Sequence, residues 1–233
     1  MSKPIKYVIF DVDGTLLDTE TMNTWGSNQI LAPYGFEVTW DVKKKIIGRP
    51  IKTAIQILID HFGLNDQFTP ESFIAKRIEI QSTKWSEIKA MPGAKELVEH
   101  LHKHGIPMAI ATSSDAASLE LKTTKHKDWF AHFDAKVTAD DKTVKKGKPA
   151  PDPFLRAAEL LGRTRTSEND TLDDVLVVED AISGVQAGLA AGMRVVAVPD
   201  PRLLEDVEKL GYPITILNSL SEIDLAAFGL PPF

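Results

Sequence analysis

Residues Tyr7 to Glu20, YVIFDVDGTLLDTE, decide the fold of this chain, because an apolar run ends there in two closely spaced acids. The β-branched and aromatic residues Tyr7 to Phe10 predict a buried strand of a parallel sheet. Asp11 and Asp13 follow this strand at its C-terminal end, which is where open α/β sheets bind their ligands. We therefore expect these two carboxylates to carry chemistry. The alternative is that they only begin a turn together with Gly14.

The rest of the chain alternates predicted strands with helices, apart from one long insertion. Between Thr21 and Met91 helical patterns follow one another without a convincing strand, and the alternation resumes at Pro92. Further strands are predicted at Pro107 to Ala111, Ala135 to Val137, Val175 to Val178, Arg194 to Val198 and Thr215 to Leu217. The polar segment 164–174 predicts an exposed loop.

This pattern predicts an α/β protein with a doubly wound parallel sheet. The Rossmann-like core is expected to consist of residues 1–17 and 92–233, and a helical cap domain of residues 18–91. An insertion of this kind leaves and re-enters the core at neighbouring points, so its two connections are expected to act as hinges.

The composition limits the classes of function. The 233 residues are 43% hydrophobic and carry a net charge of -6, which argues against a nucleic-acid-binding surface. The chain has no Cys, so disulfides, thiolate metal sites and Cys nucleophiles are excluded. The sequence shows no signal-peptide core and no apolar run of membrane-spanning length. We therefore expect a cytoplasmic monomer or weak dimer with neither a nucleic-acid nor a membrane partner.

Polar residues follow two of the later strands as well. Thr112 and Ser113 offer a hydroxyl and a backbone N–H to a phosphate, and their alternative role is to cap the next helix. Glu179 and Asp180 follow the strand that ends at residue 178. Acids that share one sheet edge are costly to crowd together unless a cation neutralises them. A hard divalent ion with oxygen ligands fits such a site, and Mg²⁺ is the expected cofactor.

Four stretches resemble, in order, the motifs of the haloacid dehalogenase (HAD) superfamily. The string around Asp11 fits hhhD-x-D-G-T-L-x-D, where h is apolar, and the strand tip at Thr112 resembles the second motif. The third is K-P-x-P-D-x-F, which starts at Lys148, a residue that would otherwise be interpreted as a surface charge. The fourth is V-V-E-D-A-x-x-G-V-Q-A-G around Asp180. Together they cover essentially the whole chain.

The resemblance implies a role for each polar residue of these motifs. Asp11 would be the nucleophile that forms an aspartyl-phosphate, and Asp13 would act first as general acid and then as general base. Lys148 would neutralise the phosphoryl group and the nucleophile. Thr112 and the Ser113 amide would bind the phosphate.

The same resemblance implies the ligands of the metal. Mg²⁺ would lie between the Asp11 carboxylate, the Asp13 backbone carbonyl and Asp180, with Glu179 holding the metal or its waters. The acid at position 13 resembles the pattern of the superfamily's phosphatases and phosphomutases. Their alkoxide leaving groups need a proton, which an acid at this position can supply. The substrate is therefore expected to be a phosphate ester.

The position of the insertion resembles the C1 cap class, whose helical lid closes over small phosphoesters. Several stretches, such as MPGAKELVEHLHKHGIPMAIATSS and AGMRVVAVPD, are similar to the pseudouridine-5'-phosphatase and glycerol-phosphate phosphatase group. This implies a nucleoside monophosphate or a sugar or polyol phosphate as substrate. Arg49, in a predicted loop of the cap, is a candidate for substrate binding. The alternative function is a phosphomutase of the β-phosphoglucomutase type, which needs a second phosphate site.

Overall fold

The chain divides into two compact units. The computed structural model describes residues 3–47, 49, 51–167 and 170–233. One unit comprises Met1–Asp18 and Lys89–Phe233, and the other comprises Thr19–Ile88. The first is an α/β unit and the second is helical.

The two chain segments that join these units pair with each other inside the α/β unit. The Asp18 N–H donates to the Lys89 carbonyl at 2.9 Å, and the Met91 N–H donates to the Leu16 carbonyl at 2.9 Å. These bonds attach residues 89–91 to the end of the first segment. The helical unit therefore ends at Ile88, three residues before the end of the predicted cap.

A six-stranded parallel sheet forms the centre of the α/β unit, which confirms the predicted fold class. Its strand order is β3-β2-β1-β4-β5-β6, and each neighbouring pair is parallel. The strands are β1 (Tyr7–Phe10), β2 (Met108–Ala111), β3 (Ala135–Val137), β4 (Leu172–Glu179), β5 (Met193–Ala197) and β6 (Thr215–Ile216).

The strand order reverses next to β1, between β2 and β4. The chain proceeds from β1 outward through β2 to β3, then returns to pair β4 with the other side of β1. In an open α/β sheet the crevice outside the carboxyl ends of the strands at such a reversal is the usual ligand site. Asp11 and Glu179 lie at the carboxyl ends of the two strands concerned.

Helices on the sheet complete the core of the α/β unit. They are α5 (Ala94–Lys103), α6 (Ala116–Lys122), α7 (Lys127–Phe130), α8 (Asp152–Leu160), α9 (Ile182–Ala190) and α10 (Leu204–Glu208). Helix α8 packs on β1, β2 and β3, and α9 packs on β4 and β5. The four central strands β2, β1, β4 and β5 are largely buried, as expected for a parallel sheet with helices against it, whereas the edge strands β3 and β6 are partly exposed.

The helical unit has its own apolar core. Its helices are α1 (Thr19–Leu31), α2 (Trp40–Ile46), α3 (Ile51–Phe62) and α4 (Pro70–Ser82). Ile55, Leu58 and Ile59 recur at helical spacing on α3 and pack with Phe73 of α4 in one buried cluster. Helix α4 begins with a capping box, in which the Thr69 hydroxyl accepts from the Ser72 N–H at 3.2 Å. No helix in the described ranges is both long and apolar enough to cross a membrane.

The predicted loop 164–174 is wrong at its C-terminal end, because β4 already begins at Leu172. Arg163 binds acids on both sides of the start of β4. Its guanidinium donates to Asp174 in the strand at 3.0 Å and to Asp170 before the strand at 3.3 Å. The Arg163 guanidinium, with bonds from Thr166, holds the pKa of Asp170 well below its usual range. The acidic composition of segment 164–174 predicts full solvation. In the structure two of its carboxylates instead bind the Arg163 guanidinium.

Candidate active site

Asp11 directly extends the strand β1. Its N–H donates to the Val178 carbonyl of β4 at 3.0 Å, so the hydrogen-bond ladder between the two central strands continues to this residue. Its carboxyl is buried, with the residue 5% exposed. Gly14 follows with a φ of 88°, and a Cβ there would collide with the Asp180 carboxylate. The glycine therefore allows the loop after β1 to pass closely over the end of β4.

Lys148 joins Asp11 to Glu179. Its Nζ donates to Asp11 Oδ1 and to Glu179 Oε1, both at 2.6 Å. The Lys148 side chain is only 4% exposed, and its ammonium lies over the Phe154 ring at 4.8 Å from the centroid. This geometry differs from that of a solvated surface lysine. It keeps a positive charge beside the candidate nucleophile.

The pKa values of this buried group reflect its crowded charges. Burial raises the pKa of the Asp11 carboxyl to about 7; Lys148 opposes the shift, and the negative charges of Glu179 and Asp13 add to it. Burial disfavours the Lys148 ammonium, but the charges of Asp11 and Glu179 outweigh this and raise the pKa of Lys148 above its usual value. The lysine is thus a permanent cation, whereas the carboxyls repel one another.

Glu179 anchors the loop at the end of β4. Its Oε1 accepts from Lys148, and its Oε2 accepts from the N–H groups of Asp180 and Ala181, both at 2.9 Å. The residue is 1% exposed, and a Cβ at Gly184 would overlap its carboxylate. Both carboxylate oxygens therefore already have partners in the protein. This arrangement orients Asp180, the residue that follows.

The acids at this edge are close enough to share a metal ion. Oxygens of Asp11, Glu179 and Asp180 all lie within 4.8 Å of one another. Thr15 Oγ1 donates to Asp180 Oδ1 at 3.3 Å, which holds the carboxylate next to the loop after β1. Carboxylate oxygens are the ligands that Mg²⁺ prefers. The donor set therefore fits the predicted cofactor.

Asp13 lies in a second cluster of polar side chains. Ser114 Oγ donates to Asp13 Oδ2 at 2.7 Å, and the Thr112 hydroxyl contacts the same oxygen at 3.4 Å. The Lys122 ammonium donates to Asp13 Oδ1 at 2.5 Å. The N-terminus of α6 is capped instead by Asp115, whose carboxylate accepts from the Ser118 N–H at 2.7 Å. Thr112 is buried, and Ser113 next to it is exposed.

Ser114 and Lys122 were not among the site residues predicted from the sequence. Ser114 lies beside the two phosphate-binding candidates, but nothing in a local pattern assigns its hydroxyl to Asp13. Lys122 offers one signal: it follows Leu119 by three residues on α6, and both are buried. A lysine on the apolar stripe of a short helix is rarely buried without a partner. That partner, Asp13, is 109 positions away in sequence.

Arg49, the remaining predicted site residue, belongs to the helical unit. It is exposed, and its Nε donates to the Lys45 carbonyl at 2.7 Å. The other predicted site residues, Asp11, Asp13, Thr112, Ser113, Lys148, Glu179 and Asp180, belong to the α/β unit.

Comparisons with known proteins agree in one family. A family model described as haloacid dehalogenase-like hydrolase matches residues 8–198. The protein "(DL)-glycerol-3-phosphatase 2" of Arabidopsis thaliana is 41% identical over 98% of this chain and 93% of its own length. "Probable pseudouridine-5'-phosphatase" of Drosophila melanogaster is 38% identical over 99% of this chain and 96% of its own. The crystal structure of "HAD hydrolase, family IA, variant 3" from Entamoeba histolytica matches with a TM-score of 0.76 at 25% identity, covering 96% of this chain and 97% of that one.

Proposed function

This chain belongs to the haloacid dehalogenase-like hydrolases, and from that premise we propose that it is a Mg²⁺-dependent phosphatase acting through an aspartyl-phosphate on Asp11. The observation that carries the proposal is the separate pairing of two neighbouring acids, Asp11 with Lys148 and Asp13 with Lys122. Acids with different surroundings are suited to different roles, here those of nucleophile and proton donor.

In the first step an Asp11 carboxylate oxygen attacks the phosphorus, and the bond from phosphorus to the ester oxygen breaks. Asp13 gives its proton to that oxygen, because an alkoxide is a poor leaving group. Lys148, already in contact with Asp11, keeps a positive charge beside the phosphoryl group. The Thr112 hydroxyl and the Ser113 amide bind phosphoryl oxygens.

In the second step a water molecule attacks the phosphorus of the aspartyl-phosphate. Asp13, now a carboxylate, takes a proton from this water, and the bond between phosphorus and the Asp11 oxygen breaks. Inorganic phosphate leaves, and both acids return to their initial states. One carboxyl thus serves as acid and then as base, as proton balance requires.

The site is suited to Mg²⁺. Asp11 and Asp180, with the Asp13 backbone carbonyl, would hold the ion, and Glu179, whose oxygens already accept from Lys148 and two backbone N–H groups, would hold its waters. The four carboxylates of the site face two ammonium groups, so a divalent cation balances the remaining negative charge. When bound, Mg²⁺ offsets negative charge on the phosphoryl oxygens.

Metal removal tests this part of the proposal. Phosphate release from a panel of phosphorylated metabolites is expected to require Mg²⁺ and to stop in excess EDTA. Asp180→Asn is expected to raise the Mg²⁺ concentration that gives half-maximal activity, because the ion loses a charged ligand. The exposed Asp206→Asn serves as the matched control and is expected to titrate like the wild type. Full activity of the wild type in excess EDTA would exclude the metal from the mechanism.

We further propose that the substrate is a small polyol, sugar or nucleoside phosphate. The named activities of the two relatives, a glycerol-3-phosphatase and a pseudouridine-5'-phosphatase, support this class. A phosphomutase is the alternative, because it would use the same Asp11, Asp13 and Lys148. It would differ by converting glucose 1-phosphate into its isomer without net phosphate release. The cytoplasmic location and the monomeric or weakly dimeric state stay predictions, as does the use of Arg49 in the cap.

Arg49→Ala tests the use of the helical unit in substrate selection. An exposed guanidinium is suited to a polar or anionic part of the substrate away from the transferring phosphoryl group. We expect a higher KM for the preferred metabolite, with acetyl phosphate hydrolysis nearly unchanged. Steady-state kinetics on both substrates measure this, with the nearby exposed Lys45→Ala as the control. Unchanged kinetics on the preferred metabolite would return Arg49 to the ordinary surface residues.

A further inference from the structure

Three side chains, Asp13, Ser114 and Lys122, form a closed triangle of hydrogen bonds. Lys122 Nζ donates to Asp13 Oδ1 at 2.5 Å and to Ser114 Oγ at 2.6 Å, and Ser114 Oγ donates to Asp13 Oδ2 at 2.7 Å. Each carboxylate oxygen of Asp13 therefore accepts from a different donor. Two donors on two oxygens restrict both the direction of the carboxyl and its rotation.

The triangle rests on regular elements of the α/β unit. Ser114 follows β2, and its N–H donates to Thr112 Oγ1 at 3.1 Å. Lys122 is the last residue of α6, whose N-terminus is capped by Asp115. Groups that are supported by strands and helices are positioned more accurately than groups on free loops.

The burial of Lys122 requires an explanation. Its side chain is 10% exposed and that of Asp13 is 24% exposed, so the lysine is largely removed from water. An ion pair at this degree of burial contributes little to stability once desolvation is subtracted, so stability is a weak reason for its presence. A methionine side chain would fill a similar space to that of Lys122 without placing a charge there. The ammonium is therefore better explained by what it does to Asp13.

We propose that Lys122, together with Ser114, is a positioning residue that fixes the Asp13 carboxyl in the orientation from which it serves the leaving oxygen. This inference rests on the proposed function, in which Asp13 is the general acid. The two lysines of the site then have different roles, since Lys148 serves the nucleophile and Lys122 serves the proton donor.

The proposal predicts a loss that depends on the leaving group. A carboxyl displaced by about 1 Å can cost about 10²-fold in rate. Lys122→Met is therefore expected to lower kcat for an alkyl phosphate by about 10²-fold with little change in KM. It is expected to change little the burst of p-nitrophenol that accompanies phosphoryl transfer to Asp11, because p-nitrophenolate leaves without a proton. The later hydrolysis of the aspartyl-phosphate needs Asp13 as base whichever substrate supplied the phosphoryl group, so that step slows equally for both. A purely structural lysine would slow the transfer step on both substrates alike.

The experiment compares Lys122→Met, Asp13→Asn and their double variant on both substrates at saturating Mg²⁺, and it measures the phosphoryl-transfer step as release of the leaving group in the first turnover. Asp13→Asn should lose about 10² to 10⁴-fold on the alkyl phosphate alone in the first step. The double variant should lose no more than Asp13→Asn, because Lys122 acts through Asp13. Lys125→Met, an exposed lysine three positions further, is the matched control and is expected to behave like the wild type. Circular dichroism and thermal unfolding verify that each variant is folded.

Ser114→Ala gives an independent measurement if Lys122→Met does not fold. It removes one donor to Asp13 and leaves the charge in place, so a smaller loss with the same leaving-group dependence is expected. Equal losses in the transfer step on both substrates in the folded Lys122 and Ser114 variants, or a raised KM on both, would overturn the inference and indicate structural support or phosphoryl binding. Failure of Asp13→Asn to discriminate between the substrates in the transfer step would instead overturn the proposed role of Asp13 as general acid.

Discussion

Asp11→Asn is expected to give a folded protein that has lost essentially all turnover. The amide is nearly isosteric with the carboxylate and keeps an oxygen that can accept from Lys148, so the packing of the site is expected to persist. It cannot act as the anionic nucleophile, and loss of a nucleophile costs other covalent enzymes about 10⁶-fold in kcat. Phosphate release by the purified variant measures the loss.

The control for this substitution is Asp173→Asn, at an acid of β4 whose side chain is 38% exposed and pairs with Lys3. Such surface pairs contribute little, so its activity and unfolding should match those of the wild type. Wild-type turnover of Asp11→Asn on any phosphoester would refute the nucleophilic role. A variant that is both inactive and unfolded would be replaced by Asp11→Ala at lower temperature, with folding verified before the assay.

Lys148→Met is expected to impair both activity and stability. It leaves two adjacent carboxylates, Asp11 and Glu179, without their shared cation, and the Glu179 side chain is 1% exposed. Removing one partner of a buried ion pair costs about 3 to 5 kcal/mol of stability, because the other charge stays buried. Loss of a charge-assisted bond to the phosphoryl group or nucleophile is worth about 1.5 to 3 kcal/mol, so kcat/KM should fall by about 10 to 150-fold.

Urea unfolding and steady-state kinetics measure these two losses. Lys145→Met, an exposed lysine in the same segment, is the matched control and should change neither quantity. An unchanged kcat/KM in Lys148→Met would exclude this lysine from catalysis and leave it a structural role, whatever its effect on stability. Added Mg²⁺ is expected to recover part of the lost stability, since a bound cation also compensates the carboxylates.

The sequence was sufficient for the sheet because its signals are local. Each strand contains at least one β-branched residue within a short and mostly apolar run, and β1 and β3 have the predicted bounds. The start of β4 was missed because Leu172 to Asp174 have a polar composition, and they join the sheet next to residues that are distant in sequence. The predicted end of the insertion, residue 91, lies three residues beyond Ile88, where the helical unit ends. The cause is again a pairing that is distant in sequence, since residues 89–91 pair with the end of the first segment.

The candidate site likewise combines residues in local sequence motifs with contacts between residues that are distant in sequence. Short motifs contain seven of the predicted site residues, so the sequence alone could propose them: Asp11, Asp13, Thr112, Ser113, Lys148, Glu179 and Asp180. The contacts within the site join residues that are distant in sequence: Lys148 contacts an acid 137 positions away, and Lys122 contacts one 109 positions away. The resemblance already implied that Lys148 serves Asp11, whereas the pairing of Lys122 with Asp13 became visible only with the fold. The membership of the haloacid dehalogenase-like hydrolases predicted from the motifs is confirmed by the family match.

A trapped phosphoenzyme is the sharpest test of whether Asp11 carries the phosphoryl group. In Asp13→Asn, labelled p-nitrophenyl phosphate can transfer its phosphoryl group because its leaving group needs no proton, but the base that activates water is absent. After acid quench, we expect a hydroxylamine-sensitive label on the peptide that contains Asp11, and no label when Asp11→Asn is added. A label on another residue, or release of labelled phosphate at the rate of p-nitrophenol with no trapped enzyme, would contradict it.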